Sequence, residues 1–239
     1  MIPRRIVLLH GFTQGGAIWV PTMEAITTRS PIDAPDLPGH GSSSDVTTGL
    51  VDTADDIGQS YGNAAYVGYS MGGRVALHLA LARPGIVSHL VLCSTTAGIE
   101  DPAERAKRRN DDAALAARIR AIGVDAFLEE WLAQPMFRDL KRTTHDAEVR
   151  GANTAEGLAS SLENSGTGEQ EPLWDRLATL EMPVLVVTGQ NDAKFGAIGE
   201  RLVAAIGDNA SHVVVPGAGH AVPFERVAVF AALVSAFLR

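Results

Sequence analysis

Cysteine is nearly absent from this sequence: Cys93 is the only one among 239 residues. A single cysteine excludes an intramolecular disulfide and fits a reducing compartment. The sequence also lacks an apolar run of about 18 residues and a secretory signal with a cleavage site, so we expect a cytoplasmic protein without membrane insertion. Positive charge is in short supply as well, because the net charge is −8. General attraction to nucleic acid or to an anionic membrane is therefore not expected.

Motifs for a metal or a nucleotide are missing too. The seven histidines include no pair at metal-ligand spacing, and the chain has no phosphate-binding loop. We therefore predict no metal and no cofactor. The oligomeric state is left open by the sequence.

What the chain has is apolar residues, 46% of the total, which is ample for a sizeable core. Short apolar runs alternate with helical patterns, and this alternation predicts βαβ units and a mostly parallel sheet flanked by helices. The predicted strands are 6–9, 31–33, 64–67, 89–93, 183–188 and 212–215. The predicted helices are 17–26, 51–61, 75–82, 104–122, 124–133, 154–164 and 224–238.

The alternation stops between residues 98 and 174, where no strand is predicted and helical patterns dominate. We expect a core of residues 1–97 and 175–239 and a helical lid of residues 98–174. A lid inserted there, before the strand at 183–188, would enclose a substrate and exclude water.

A Gly-x-Ser-x-Gly motif, residues 68–72, lies between the predicted strand at 64–67 and the predicted helix at 75–82. This strand-to-helix corner is the context of a nucleophile elbow, in which a tight turn presents the serine at the N-terminus of a helix. Ser70 is therefore predicted to be the catalytic serine. The motif without this context is a weak signal.

Two further residues follow predicted strands and complete a possible triad. Asp192 follows the strand at 183–188, and His220 follows the strand at 212–215. The order Ser, Asp, His is that of the α/β-hydrolase triad. A serine hydroxyl needs a histidine to take its proton, and the histidine needs a carboxylate to fix its tautomer. The same template predicts an oxyanion hole from the backbone N–H groups of Met71 and Phe12.

Five segments together resemble the α/β-hydrolase fold: 10–12, 36–41, 68–74, 189–195 and 217–220. Narrower details resemble the family of 2-succinyl-6-hydroxy-2,4-cyclohexadiene-1-carboxylate synthases. They are the Tyr-Ser-Met-Gly-Gly-Arg form of the elbow, the Asp-x-Lys-Phe sequence at 192–195, and segments 103–109 and 131–137. The resemblance covers nearly the whole chain. It implies a lyase of menaquinone biosynthesis that eliminates pyruvate by triad-assisted proton abstraction.

The resemblance also implies a substrate with three carboxylates and the residues that contact it. By matching to the family, Tyr69, Arg74, Arg108 and Trp131 are expected to bind substrate, and Lys194 is a further candidate. Guanidinium groups suit carboxylates because two N–H bonds align at once. Arg105 and Arg109 share the first lid helix with Arg108, and the sequence leaves open which of the three faces the pocket. Leu132 departs from the family, which often has a tyrosine there.

Two other functions are compatible with the sequence. One is a serine hydrolase, an esterase or C–C bond hydrolase of a small carboxylated substrate, which would use the same triad through an acyl-enzyme. The other is a non-catalytic binding protein on a hydrolase scaffold, which the presence of all three triad residue types disfavours.

Overall fold

A six-stranded, fully parallel sheet forms the centre of the structure, a computed structural model that describes residues 3–239. The strand order is β2-β1-β3-β4-β5-β6, with helices packed on both faces. This arrangement confirms the α/β fold class predicted from the sequence. The strands are β1 (Ile6–Leu9), β2 (Ile32–Asp33), β3 (Ala64–Tyr69), β4 (Val87–Cys93), β5 (Val184–Gly189) and β6 (Ala210–Val215).

The burial of the strands explains why their sequences are continuous apolar runs. Every residue of β1, β3 and β5 is buried, because helices cover both faces of these central strands. The edge strand β6 is different: only Val215 is buried, and Val214 is 45% exposed. The central strands were therefore the easiest elements to predict.

Nine α-helices connect or follow the strands in the described part of the chain. They are α1 (Val20–Ala25), α2 (Leu50–Tyr61), α3 (Met71–Ala82), α4 (Pro102–Leu132), α5 (Thr144–Gly151), α6 (Ala155–Ser165), α7 (Ala193–Ile206), α8 (Val222–Glu225) and α9 (Val227–Phe237). None of the helices within residues 3–239 is long and apolar enough to cross a membrane.

Some helix boundaries differ from the prediction. The helix predicted over 17–26 is a 3₁₀ turn, Gly16–Trp19, followed by α1, which has Pro21 in its first turn. The helix predicted over 224–238 is divided into α8 and α9 by Arg226, whose backbone is non-helical and whose side chain bonds to the Gly217 carbonyl oxygen at 2.8 Å. Sequence periodicity does not detect such long-range contacts.

The segment between β4 and β5 carries α4, α5 and α6 and no strand. Gly123 interrupts α4 with φ 77° and ψ 173°, so α4 consists of two helical halves that correspond to the helices predicted over 104–122 and 124–133. Arg120 of α4 bonds to both Glu156 and Glu163 of α6. Apolar side chains of α4 and α6 also pack together beneath these ion pairs, so the two helices form one unit.

The parallel topology brings four loops to one edge of the sheet. Phe12 follows β1, Ser70 follows β3, Asp192 follows β5 and His220 follows β6. All the carboxyl ends of parallel strands lie at the same edge, so these residues come together although up to 208 positions separate them in sequence, counting from residue 12 to residue 220.

Candidate active site

Ser70 occupies a strained turn between β3 and α3. Its φ of 51° and ψ of −109° are unusual for a residue with a side chain. The turn closes because the neighbouring glycines lack a Cβ atom. A Cβ on Gly72 would lie 2.2 Å from the Leu9 carbonyl oxygen, and one on Gly68 would lie 2.4 Å from the Gly72 carbonyl oxygen. The nucleophile-elbow geometry predicted from the sequence is therefore present.

The side chains of Ser70, His220 and Asp192 form a continuous hydrogen-bonded chain. The Ser70 Oγ atom lies 3.3 Å from His220 Nε2, and His220 Nδ1 lies 2.7 Å from Asp192 Oδ2. The second oxygen of Asp192 accepts the Phe195 backbone N–H at 3.3 Å, which orients the carboxylate at the start of α7. With a proton on Nδ1, His220 presents a free Nε2 lone pair to the serine hydroxyl. This arrangement can remove the hydroxyl proton.

The imidazole of His220 is held on several sides. It is 2% exposed, and the Phe195 ring lies 4.5 Å away between centroids. The carboxylate of Glu225 accepts hydrogen bonds from the backbone N–H groups of Gly219 and Ala221, the two neighbours of His220. Contacts on both the ring and the backbone thus restrict His220 to the orientation that reaches Ser70.

The loop after β1 carries the predicted oxyanion donor Phe12. Within residues 3–239, neither Phe12 nor Met71 has a hydrogen-bond acceptor for its backbone N–H group. Two buried histidines hold this loop: His10 Nε2 accepts the Leu37 N–H at 2.9 Å, and His40 Nε2 accepts the Thr13 N–H at 3.2 Å. Burial lowers the pKa of His10 to about 4 and that of His40 to about 3, so both are neutral braces.

A cavity of about 610 Å³ opens in front of Ser70. It is lined by every site residue predicted from the sequence except Asp192, which lies behind His220. The predicted residues in its wall are Phe12, Tyr69, Ser70, Met71, Arg74, Arg108, Trp131, Lys194 and His220. Burial raises the pKa of the Tyr69 phenol well above its usual value, so this group stays protonated and can donate.

The cavity wall carries excess positive charge although the protein is acidic. Four basic residues, Arg74, Arg108, Arg150 and Lys194, face two carboxylates, Asp111 and Asp112. Burial, with the nearby Arg108 adding to it, lowers the pKa of Arg74 to about 10, so Arg74 remains charged at neutral pH.

The arginines of α4 divide into two groups. Arg108 lines the cavity, and its Nε atom donates to the buried Asp112 carboxylate at 2.8 Å. Arg105 instead pairs with Glu171, and Arg109 pairs with Glu169. None of these four residues lines the cavity. The question that the sequence left open is thereby answered in favour of Arg108.

Sequence reasoning missed Arg150, which is 2% exposed and lines the cavity. Its guanidinium donates to Asp146 Oδ1 at 2.9 Å and to the Thr13 hydroxyl. The spacing of Asp146 and Arg150, four residues apart, could have indicated a helical ion pair. It could not have indicated that this pair is buried beside the site, because α5 itself was not predicted.

Three buried nitrogen donors in the cavity wall have no hydrogen-bond acceptor among the described residues. They are Arg74 Nη1, Trp131 Nε1 and Gln14 Nε2. An unsatisfied buried donor costs about 1–3 kcal/mol, and a charged one costs more. Three such donors belong to residues of one cavity wall, where a ligand or water can supply acceptors.

Comparisons with known proteins identify the family of this chain. The alpha/beta hydrolase family matches residues 6–233. Several curated relatives bear the name 2-succinyl-6-hydroxy-2,4-cyclohexadiene-1-carboxylate synthase. The one from Enterobacter sp. (strain 638) is 31% identical, over 98% of this chain and 91% of its own length. The one from Citrobacter koseri is 35% identical, over 82% of this chain and 81% of its own length.

A solved structure, that of MenH from S. aureus, has a similar fold. It superposes with a TM-score of 0.89 at 30% identity, covering 100% of this chain and 94% of that chain. The whole architecture, including the helices between β4 and β5, therefore falls within the compared length. The chain belongs to the alpha/beta hydrolase family and, within it, to the family of 2-succinyl-6-hydroxy-2,4-cyclohexadiene-1-carboxylate synthases.

Proposed function

We propose that this protein is a lyase of menaquinone biosynthesis. It eliminates pyruvate from 2-succinyl-5-enolpyruvyl-6-hydroxy-3-cyclohexene-1-carboxylate and forms 2-succinyl-6-hydroxy-2,4-cyclohexadiene-1-carboxylate. The observation that carries the proposal is the buried Nη1 atom of Arg74, one helical turn beyond Ser70, a charged donor that has no acceptor within residues 3–239. A cation in that position favours an anionic substrate at the serine. The names of the similar synthases support the same proposal.

The reaction is an elimination whose atoms balance without a cofactor. The ring loses the proton on C2, next to the succinyl ketone, and the C5–oxygen bond to the enolpyruvyl group breaks. The double bond between C3 and C4 is replaced by two double bonds, one between C2 and C3 and one between C4 and C5. The enolpyruvyl group leaves as the enolate of pyruvate, which takes up a proton and becomes pyruvate.

Each member of the triad has a task in this scheme. His220 Nε2 takes the proton of the Ser70 hydroxyl, and the serine oxygen abstracts the C2 proton. Asp192 accepts the Nδ1–H of His220 and stabilises the imidazolium that forms. Negative charge develops on the ketone oxygen, and the free N–H groups of Phe12 and Met71 are the donors proposed to stabilise it.

The basic residues of the cavity supply partners for the three carboxylates of the substrate. Arg74 Nη1 is a donor that has no acceptor in the described part of the chain, and Arg108 is oriented by Asp112. Arg150 is similarly oriented by Asp146, and Lys194 lies at an exposed part of the wall. An arginine that is already held by a carboxylate loses little side-chain freedom when it binds a substrate, and this favours binding.

We also propose that residues 98–174 act as a lid over a core of residues 1–97 and 175–239. Arg108, Trp131 and Arg150 all come from this segment and line the cavity that contains Ser70. The Trp131 ring also packs against the Phe12 ring at 5.3 Å between centroids, which links the segment to the oxyanion loop. A cover of this kind excludes water from a reactive enolate.

The test is to supply the enolpyruvyl substrate and to measure pyruvate release. Wild-type protein should release one pyruvate for each substrate consumed, and Ser70→Ala and His220→Ala should each lose at least about 1,000-fold in kcat. Activity toward an activated ester, with a burst of product and no pyruvate from the enolpyruvyl substrate, would instead establish the serine hydrolase. Turnover of neither substrate, with ligand binding unchanged in Ser70→Ala, would establish a binding protein.

A further inference from the structure

Gln14 is a polar residue of the cavity wall. Its side chain is 1% exposed, and it lies on the loop after β1, two positions beyond Phe12. Its Oε1 atom accepts the Gly11 backbone N–H at 2.9 Å. Its Nε2 atom is buried and has no acceptor among residues 3–239.

The hydrogen bond to Gly11 fixes which way the amide points. The backbone N–H of Gly11 is a donor, so the atom facing it must be the amide oxygen and not the nitrogen. The nitrogen therefore occupies the other branch of the amide, away from Gly11. Exchanging the two atoms would place two donors face to face, which would remove the hydrogen bond between Gly11 and Gln14.

The neighbourhood of Gln14 is suited to a carboxylate. The guanidinium of Arg150 donates to the hydroxyl of Thr13, the residue next to Gln14, and both Gln14 and Arg150 line the cavity. Asp146 holds the guanidinium in place from behind, through Nε. A neutral amide donor in the same cavity wall as a fixed cation can add a hydrogen bond to a carboxylate without adding a second charge to be buried.

From this arrangement we infer that Gln14 is a ligand-binding residue, whose amide N–H₂ donates to a carboxylate oxygen of the substrate on the Arg150 side of the cavity. The inference rests on the proposed function for the identity of the substrate. It assigns Gln14 a part in substrate recognition, in addition to its bond with Gly11.

Two substitutions separate the binding role of Gln14 from its role in the loop. Gln14→Glu keeps an oxygen for the Gly11 N–H and removes the amide N–H₂ donor. Gln14→Met removes both and adds no charge. Gln134→Glu is the matched control, because Gln134 also lines the cavity and the change adds the same negative charge in the same shape. Urea unfolding of each variant reports whether the loop change affects the fold.

The measurement is calorimetric binding of 2-succinylbenzoate, an aromatic dicarboxylate that resembles the product. Pyruvate release by the same samples is measured in parallel. We expect Gln14→Glu and Gln14→Met to weaken binding about tenfold or more, with Gln14→Glu unfolding at the wild-type urea concentration. Gln134→Glu should weaken binding by less than about threefold. The KM for the enolpyruvyl substrate should rise in the same order.

Other results would overturn the inference. Wild-type binding by Gln14→Glu would show that the residue serves only the loop, and an equal loss in Gln134→Glu would show an effect of charge alone. Absence of saturable probe binding to wild-type protein would also overturn it. The proposed function is decided separately by pyruvate release. If wild-type protein releases no pyruvate while the probe results follow the expected order, the carboxylate contact stands and the activity does not.

Discussion

The carboxylate of Glu225 accepts hydrogen bonds from the backbone on both sides of His220. One oxygen accepts the Gly219 N–H, and the other accepts the Ala221 N–H at 2.9 Å. Burial raises the pKa of Glu225, while these two N–H groups and His220 favour its charged form. The histidine is thus positioned by two carboxylates: Asp192 on its ring and Glu225 on its backbone.

We predict that Glu225→Gln lowers kcat about tenfold and leaves KM within about twofold. Glutamine has one acceptor oxygen, so one of the two N–H groups would face an amide NH₂ group and the loop would lose its fixed geometry. Substrate binding does not use this side chain, which is outside the cavity lining. Steady-state pyruvate release measures both constants.

The control for this prediction is Glu181→Gln, an exposed residue that precedes β5 at the opposite end of the sheet. It should match wild-type kinetics. The low-field NMR signal of the His220 Nδ1 proton gives a second readout, since it should shift in Glu225→Gln and stay unchanged in Glu181→Gln. A rise in KM with kcat intact would contradict a positioning role.

Arg74 gives the clearest prediction about substrate charge. Replacing it by alanine should lower kcat/KM by about 10- to 100-fold, mainly through KM, because a hydrogen bond to a charged group contributes about 1.5–3 kcal/mol. Arg74→Lys should recover part of this loss, since the charge remains and the two-pronged donor geometry does not. Kinetics with the enolpyruvyl substrate provide the measurement.

Arg109→Ala is the matched control for Arg74, because Arg109 is paired with Glu169 and does not line the cavity. It should change kcat/KM by less than about twofold. Equal losses in the two variants would mean that overall charge, and not a contact in the cavity, attracts the substrate.

The sequence predicts those elements that are determined by residues close together in the chain. Continuous apolar runs identify buried parallel strands such as β5, and the glycines around Ser70 identify a turn that no larger residue could close. The positions of Asp192 and His220 followed from topology, because both come directly after strands of a parallel sheet. The hydrogen-bonded residues Ser70, Asp192 and His220, and nine of the residues that line the cavity, could therefore be named from the sequence.

What the sequence could not predict depends on long-range packing. Arg150 lies on α5, a short polar helix without a clear apolar stripe, and its burial depends on Thr13, 137 residues away. The same holds for the amide nitrogen of Gln14, which has no acceptor among the residues that the structure describes and is recognisable only once the bond to Gly11 is seen. Arg105, Arg108 and Arg109 were indistinguishable in sequence, because their partners Glu171, Asp112 and Glu169 were unknown.

The neutral histidines His10 and His40 make stability depend on pH. Burial lowers their pKa to about 4 and about 3, whereas both titrate near 6.5 when unfolded. Below pH 6.5 the unfolded chain therefore binds protons that the folded protein does not. The free energy of unfolding should fall as pH drops from about 6.5 to about 4, by on the order of 1 kcal/mol per pH unit for each histidine.

Urea unfolding at several pH values tests this dependence. His40→Gln keeps an acceptor for the Thr13 N–H but cannot titrate. The variant should therefore take up about one proton fewer on unfolding, and its free energy of unfolding should fall less steeply over the same pH range. An unchanged slope in His40→Gln would show that other groups, and not this histidine, cause the acid sensitivity.

Gly72 should tolerate no side chain. A Cβ atom there would lie 2.2 Å from the Leu9 carbonyl oxygen, and both groups are backbone, so neither can move without displacing β1 from α3. We predict that Gly72→Ala loses about 3 kcal/mol of unfolding free energy or more, together with most activity.

Gly151→Ala is the matched control: it lies in α5 with nothing within 4 Å of the added Cβ. It should be neutral or gain up to about 1 kcal/mol. Wild-type urea midpoints for Gly72→Ala would mean that the elbow is not fixed by this contact.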